Sequence, residues 1–185
     1  ELIKLANKEC LLSSTYEPSS KTKMKLRAAP GAGTMYLQSE CAEALAELFA
    51  GAEEAGYKLY LKSAYRAYKT QKTMYNNRLE RNNGKDDGWV SKPGASDHQT
   101  GLGCDVVPGS WKDKSMNSNM ASTPECQWMA EHCYEYGFVI RYPEDKQDIT
   151  EINYEPWHLR YVGKEVARYI WRNGLCLEEF HEQLQ

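Results

Sequence analysis

The chain has 185 residues, 41% of them hydrophobic, and a formal net charge of -3. This length suits one domain with a substantial core. Its apolar runs are too short for a transmembrane helix, and its dispersed basic residues argue against a nucleic-acid partner. The opening stretch, ELIKLANKEC, lacks a basic segment followed by an apolar one, so any secretory signal or anchor is expected to lie outside this sequence.

The first part of the chain divides into an arm and the start of a domain. Residues 1–34 are polar and turn-forming, which predicts an N-terminal arm packed on a single domain of residues 35–185. Residues 36–57 carry apolar side chains at helical spacing and reach a glycine stop at Gly56, which predicts a helix. The alternating stretch KLYLKSAY, residues 58–65, predicts a strand that ends in a corner at Arg66.

The remaining segments alternate helices with short strands. Helices are predicted at 67–84, 123–137, 164–174 and 177–184, and strands at 103–108, 138–143 and 158–163. The intervening stretch KDDGWVSKPGASDHQTG is too rich in Gly, Pro, Asp and Ser for regular structure. Because there is no regular βαβ rhythm, the sequence predicts an α+β fold with a small antiparallel β-sheet packed with several helices.

The six cysteines leave the redox state open. No CxxC motif occurs, which argues against a zinc ribbon or a thioredoxin-like site. The even count permits up to three disulfides in an exported protein, whereas a set of reduced, buried cysteines fits nearly as well. Cys126 and Cys133 lie about 10 Å apart along the predicted helix at 123–137, too far for a disulfide between them.

Two short segments contain residues suited to metal chemistry. In NYEPWHLRYVG, Glu155 precedes His158 by three residues. Taken alone, this pair is most simply a core histidine and a surface carboxylate. In SDHQTGLGCDVVP, His98 precedes Asp105 by seven residues, with two glycines between them. These glycines let the backbone fold so that both side chains face one point, which a metal site needs.

Together the two segments supply three nitrogen and oxygen ligands. A His-Asp-His set suits Zn²⁺ with a fourth position for water, the arrangement of a catalytic site. Zinc lowers the pKa of bound water to about 7, and a nearby carboxylate can then accept its proton and pass it to the leaving amine. Glu155 is the candidate for this base. Pro156 and Trp157 would stiffen the segment and exclude solvent.

These residues also carry a family resemblance. SDHQTGLGCD and YEPWHLRYVG, together with SAYRAYKTQ and YGFVIRYP, resemble motifs of the VanY-type zinc D,D-carboxypeptidases. That family belongs with the D-alanyl-D-alanine peptidases of the Hedgehog-type zinc fold. The resemblance covers roughly residues 35 to 165 and implies the same fold here. One departure is Cys104, where relatives usually have a small or apolar residue. Its place beside Asp105 on a strand predicts that its side chain faces the core.

The resemblance implies a role for each site residue. Zinc is assigned to His98, Asp105 and His158, and the catalytic base is Glu155. Arg66 is implied to polarise the scissile carbonyl and stabilise its oxyanion. The substrate-binding residues are Ser96, Gln71 and Trp157, the first two holding a terminal carboxylate. Arg66, Ser96 and Gln71 can each be read otherwise, as a turn arginine, a turn serine and a solvated helix residue.

The sequence therefore predicts a zinc-dependent D,D-carboxypeptidase that removes the terminal D-alanine from peptidoglycan stem peptides. Three alternatives stay open: an L,D-carboxypeptidase or endopeptidase, a non-catalytic module that binds cell-wall peptides, and a cysteine hydrolase using Cys104 or Cys133 with His98. The expected partner is a stem peptide or its precursor. The expected location is the bacterial cell envelope or outside the cell, and the expected oligomeric state is a monomer.

Overall fold

The computed structural model describes residues 1–185 and has an α+β architecture. The strands are β1 (Thr22–Lys23), β2 (Tyr36–Leu37), β3 (Leu59–Ser63), β4 (Gly103–Pro108), β5 (Phe138–Ile140) and β6 (His158–Tyr161). The helices are α1 (Ser39–Glu54), α2 (Tyr68–Arg81), α3 (Pro124–His132), α4 (Gln147–Thr150), α5 (Lys164–Asn173) and α6 (Leu177–Gln183). None of the helices has the length and apolarity needed to cross a membrane.

The main sheet has four strands in the order β3-β4-β6-β5, all antiparallel to their neighbours. Strand β4 is central and buried at every position. In its register, Asp105 lies opposite Ser63 of β3 on one side and His158 of β6 on the other. The predicted α+β fold with a small antiparallel sheet is confirmed, and the sheet brings together residues that are 53 positions apart in the chain.

Helix α1 packs its apolar face into the main hydrophobic core. Seven of its side chains are buried, among them Leu45 and Leu48. The helix begins later than predicted, because the side chain of Gln38 accepts a hydrogen bond from the Cys41 backbone N–H and caps the first turn. The prediction was therefore wrong at Tyr36–Leu37, which form β2 and pair with β1.

Two other segments differ from their predictions. The helix predicted at 123–137 ends at His132, and residues 133–136 continue as a tighter 3₁₀ turn before Gly137. The segment predicted to be irregular contains a 3₁₀ turn at Asp97–Thr100, which Ser96 caps and Gly101 ends at a φ of 72°. Glycine adopts this left-handed conformation at little cost. The turn carries His98 into the site described below.

Residues 1–34 lie against the rest of the chain and make specific backbone contacts with it. The Leu12 N–H donates to the Gly94 carbonyl at 2.8 Å, and the Ala29 N–H donates to the Leu61 carbonyl at 2.9 Å. Buried Arg160 donates to the carbonyls of Leu2 and Lys4, both at 2.8 Å. The arm thus supplies hydrogen-bond acceptors to a buried charge of the domain.

All six cysteines are unpaired, and every one except Cys10 is buried. Cys104 lies in the main hydrophobic core beside Val106 and Leu159, on the opposite face of β4 from Asp105. Its side chain faces the core, as the alternation along the strand predicts.

Candidate metal centre and catalytic site

Strands β4 and β6 bring two of the candidate ligands together. Asp105 and His158 are direct cross-strand neighbours, so their side chains emerge on the same face of the sheet. Asp105 Oδ1 lies 2.8 Å from His158 Nδ1. Both side chains are almost fully buried, which fixes their positions.

The third candidate ligand comes from the turn at Asp97–Thr100. His98 Nδ1 lies 2.8 Å from the Ala64 carbonyl oxygen, to which it can donate a proton. The other ring nitrogen, Nε2, faces Asp105 Oδ2 at 3.3 Å. The Arg66 backbone N–H donates to the His98 carbonyl at 3.1 Å, which ties the turn to the corner after β3.

The three side chains fit a zinc ion. One ligand atom from each of His98, Asp105 and His158 lies within 4.8 Å of the others. Each imidazole also has a partner on the nitrogen that faces away from this group: the Ala64 carbonyl for His98 and Asp97 for His158. Metal-binding histidines in proteins are typically held in this way. The donor set of two nitrogens and one carboxylate suits a catalytic zinc site.

The charges of the group are strongly coupled. Burial alone would raise the pKa of Asp105, but the two histidines hold it well below its usual value. Burial would lower the pKa of His158, yet its hydrogen bonds to Asp105 and Asp97 raise that pKa to about 10. For His98, burial and the nearby Arg66 guanidinium lower the pKa. Asp105 is therefore an anion held between two imidazoles.

Glu155 lies at the edge of this group. Its backbone N–H donates to the Tyr142 carbonyl at 3.0 Å, and its carboxylate Oε2 lies 4.0 Å from His158 Nδ1. Burial raises the pKa of Glu155 to about 8, with Asp105 adding to the rise and His158 and Arg66 opposing it. A carboxyl group with a pKa this close to neutrality is suited to accept and release a proton.

Arg66 is held in place by two side chains. Its Nη1 donates to Gln71 Oε1 at 2.9 Å, and its Nη2 donates to Ser63 Oγ at 3.0 Å. Gln71 in turn donates through Nε2 to the Ser91 carbonyl at 2.7 Å. Gln71 is the buried residue of an otherwise accessible α2, so it is not a solvated helix residue. It orients Arg66 and has one amide hydrogen left for a ligand.

All eight site residues predicted from the sequence line one cleft of about 210 Å³. Ser96 Oγ accepts a hydrogen bond from the His98 backbone N–H at 3.3 Å, so this serine caps the ligand-bearing turn. Trp157 is 4% exposed and contributes to both the core and the cleft wall. The cleft is also lined by Met74, Trp89, Val90, Ser91, Met116 and Tyr142.

Several buried residues next to the ligands were missed by the sequence interpretation. Asp97 Oδ2 lies 3.0 Å from His158 Nε2, and Asp97 Oδ1 accepts from Arg160 Nη1 at 2.7 Å. Arg141 makes a bidentate ion pair with Glu178, with both N–O distances at 2.8 Å. One signal in the sequence was available: Arg160 follows His158 by two positions on a strand, so the two side chains share a face.

The structure contradicts the cysteine-hydrolase alternative. Neither Cys104 nor Cys133 lines the cleft, and both are packed in the hydrophobic core. Burial raises the pKa of the Cys133 thiol to about 12, and it raises that of Cys104 as well. A reactive thiolate is disfavoured at both positions.

Comparison with protein families gives a match over most of the chain. Residues 34–164 match the family described as VanY, D-alanyl-D-alanine carboxypeptidase. This chain belongs to the VanY family. It is therefore an enzyme of the carboxypeptidase class, and the resemblance inferred from its motifs is confirmed.

Two relatives in the VanY family illustrate the extent of the similarity. The protein YodJ of Bacillus subtilis (strain 168) is 38% identical over 187 residues, covering 100% of this chain and 68% of YodJ. A D-alanyl-D-alanine carboxypeptidase of Enterococcus faecalis is 34% identical over 146 residues, covering 74% of this chain and 52% of that protein. The chain thus spans about half to two thirds of these relatives.

Solved structures share the fold of this VanY-family chain. The LdcB LD-carboxypeptidase has a TM-score of 0.89 and 40% identity, over 96% of this chain and 84% of LdcB. A complex of VanYB with D-alanine-D-alanine has a TM-score of 0.81 and 27% identity, over 100% and 99% of the two chains. A vancomycin-resistance D,D-pentapeptidase VanY in complex with Zn(II) has a TM-score of 0.79 and 28% identity, over 97% and 98%.

Proposed function

We propose that this chain is a zinc-dependent carboxypeptidase that releases the C-terminal D-alanine from peptidoglycan stem peptides. The observation that carries the proposal is the convergence of His98, Asp105 and His158, with Glu155 4.0 Å from one ligand atom. Similarity to a VanY enzyme solved with Zn(II) supports the choice of metal. Residues 35–185 would form the catalytic domain, with the 1–34 arm packed on it.

Each ligand residue has a defined part in holding the metal. His98 would bind through Nε2 and His158 through Nδ1, because their other ring nitrogens face the Ala64 carbonyl and Asp97. Asp105 would contribute a carboxylate oxygen between them. When bound there, zinc supplies Lewis-acid activation of a water molecule and of the scissile carbonyl.

Glu155 is the group that moves the proton. Its carboxylate accepts a proton from the attacking water while the water oxygen bonds to the carbonyl carbon. It then gives that proton to the nitrogen of the departing D-alanine as the peptide bond breaks. Burial raises the pKa of Glu155, which makes its carboxylate a stronger proton acceptor than one in water.

Arg66 supplies the fixed positive charge of the cleft. Its two donors to Ser63 and Gln71 hold the guanidinium in one orientation, and burial keeps it partly out of water. A preorganised cation stabilises the negative charge that develops on the carbonyl oxygen. Ser96 and the remaining amide hydrogen of Gln71 are proposed to bind the terminal carboxylate, and Trp157 to pack against the substrate.

Two candidate activities fit the proposal, and they differ in which peptide bond of the stem is hydrolysed. Hydrolysis of the D,D bond of a pentapeptide stem agrees with the family description and with the sequence prediction. Hydrolysis of the L,D bond of a tetrapeptide stem is favoured by a specific observation, because the LdcB LD-carboxypeptidase is more similar to this chain than VanYB is. Both candidates place the enzyme at the cell envelope or outside the cell.

One experiment tests the proposal and separates its two forms. Zinc-loaded protein is incubated with muropeptides carrying a pentapeptide or a tetrapeptide stem, with and without a chelator, and the products are followed by mass spectrometry. Loss of one alanine from the pentapeptide alone, blocked by the chelator, identifies a D,D-carboxypeptidase. Loss from the tetrapeptide identifies an L,D-carboxypeptidase.

The same experiment can contradict the proposal. If a protein that holds one zinc ion cleaves neither muropeptide, the carboxypeptidase activity is wrong for these substrates, and a module that binds cell-wall peptides becomes the better description. Cleavage that continues unchanged in the chelator, after zinc has been shown to leave, would refute the role of the metal.

A further inference from the structure

Behind His158, on the side away from the cleft, lies a buried carboxylate with two distinct partners. Asp97 Oδ2 is 3.0 Å from His158 Nε2, whereas Asp97 Oδ1 accepts a hydrogen bond from Arg160 Nη1 at 2.7 Å. All three side chains are at most 1% exposed. Each oxygen of Asp97 is therefore committed to a different group, and water does not compete for either.

This arrangement determines which nitrogen of His158 faces the ligand group. A neutral imidazole has one donor nitrogen and one acceptor nitrogen. Because Asp97 accepts from Nε2, a proton is held on that nitrogen, and Nδ1, 2.8 Å from Asp105, is the nitrogen that would give up its proton to bind a metal. Only this tautomer presents a metal-binding atom to the group formed with His98.

Gly103 shows that the contact between Asp97 and His158 leaves no spare room. A Cβ atom at this position would overlap Asp97 Oδ2 and would lie 3.1 Å from His158 Nε2. Gly103 sits opposite Arg160 in the β4–β6 register, so the hydrogen bond passes directly over its backbone. The second glycine of the SDHQTGLGCD segment thus provides space for this contact, whereas Gly101 ends the turn.

Asp97 itself is prevented from turning away. Arg160 is fixed by further donations to the Leu2 and Lys4 carbonyls through Nη2 and to the Tyr161 carbonyl through Nε. On the other side, Arg141 places its Nε 3.5 Å from Asp97 Oδ1. If Asp97 served only to neutralise these arginines, both of its oxygens would be free to face them, yet one faces His158.

We propose that Asp97 is a positioning residue of the metal centre, which keeps His158 in the tautomer and orientation that bind zinc through Nδ1. This inference rests on the proposed zinc site. Outer partners of ligating histidines commonly change metal affinity by about 10- to 100-fold when they are replaced. An effect of that size is expected here.

The decisive variant is Asp97→Asn. Its amide has one acceptor oxygen, and because Arg160 and His158 face different oxygens of Asp97, that oxygen can face only one of them. Since a guanidinium cannot give up its donors, the oxygen is expected to face Arg160 and the NH₂ group to face His158. The ring proton then moves to Nδ1, where it competes with the metal.

The measurement is the zinc affinity of the folded protein, obtained by titrating the zinc-loaded enzyme with a competing chelator. We expect about 10- to 100-fold weaker binding for Asp97→Asn. Gln99→Met is the matched control, because Gln99 is equally buried in the same turn but donates to the arm carbonyls of Ser13 and Tyr16. The control should melt at a lower temperature and bind zinc as the wild type does.

A second readout follows the tautomer directly. Nitrogen-15 NMR of the zinc-loaded wild type should show the His158 ring proton on Nε2, protected from exchange with solvent. If Asp97→Asn does not fold, Asp97→Leu combined with Arg160→Met decides, because it removes the acceptor behind His158 together with the charge that Asp97 pairs, and it leaves the Arg141–Glu178 pair intact. That double variant should show the same loss of zinc affinity.

Two outcomes overturn the proposal in distinguishable ways. Wild-type zinc affinity in a folded Asp97→Asn protein would show that Asp97 is only structural, with the zinc site unaffected. Failure of the wild type itself to bind zinc would refute the proposed metal centre, and this inference would fall with it.

Discussion

The two sides of the cleft are built in different ways. The ligand side, formed by His98, Asp105, His158 and Glu155, is buried, and its ligands are fixed by strand register and by hydrogen bonds to groups behind them. The outer wall, formed by Met74, Trp89, Val90 and Met116, comes from α2 and from segments outside the helices and strands, and its side chains are partly or well exposed. The side chains of the ligand side are therefore held rigidly, whereas those of the outer wall have more freedom to move.

The largest expected effect comes from removing a ligand. Asp105→Ala should abolish zinc binding and reduce peptide hydrolysis to background, because the two histidines lose the anion between them. Elemental analysis of the purified variant measures the metal content. Asp113→Ala, an exposed residue away from the ligand side, should retain zinc and activity. A zinc-containing, active Asp105→Ala protein would contradict the ligand assignment.

The second-largest effect is expected at Glu155, where a substitution should lower catalysis without lowering metal binding. Glu155→Gln should retain one zinc ion and lose about 10²- to 10⁴-fold in kcat, since general-base catalysis is worth that much. The comparison is with Glu151→Gln, an exposed position in the preceding turn. Near-normal turnover by Glu155→Gln would show that another group takes the proton.

A smaller effect is expected at the corner between the two sides. Arg66→Lys keeps the positive charge but loses the paired donations to Ser63 and Gln71, so kcat should fall by about 10²-fold with zinc retained. Arg78→Lys on α2, which pairs with Asp87 at the surface, is the matched control. Equal activity of both lysine variants would mean that charge alone, without orientation, suffices at position 66.

The smallest effect belongs to the outer wall. Trp89→Ala removes a ring that is 38% exposed, and we expect a change of about tenfold or less in kcat/KM, with zinc content unaltered. The informative measurement is the ratio of activity on pentapeptide and tetrapeptide stems. If that ratio stays constant while both activities drop together, the wall contributes binding but does not select the substrate.

That the four residues of the ligand side lie together in one cleft was predicted from the sequence, because they occur in two short segments whose spacing and composition are typical of a metal site. The fold was readable from helical periodicity, as in α1, and from the short apolar strands. The start of α1 could not be predicted from the sequence, since the Gln38 cap and the pairing of Tyr36–Leu37 with β1 depend on the folded arm.

The supporting residues could not be predicted for a related reason. Asp97 and Arg160 are 63 positions apart, and Arg141 and Glu178 are 37 apart, so no local pattern joins them. Gln71 has the appearance of a surface residue in a polar helix, yet it is buried because Arg66 and Ser91 provide partners for its amide. Polar burial of this kind depends on three-dimensional partners and not on periodicity.

The hydrogen-bond acceptors of buried Arg141 and Arg160 limit how far the chain can be truncated without destabilising the fold. The family match covers residues 34–164. Arg160 donates to the Leu2 and Lys4 carbonyls, which precede this range. Arg141 pairs with Glu178, which follows it. A fragment trimmed to the match would remove some of the acceptors of two buried guanidinium groups beside the ligand side, and each buried charge that loses a partner destabilises the fold. A fragment made for expression should therefore include the residues that accept hydrogen bonds from Arg160 and Arg141, and not only the residues of the family match.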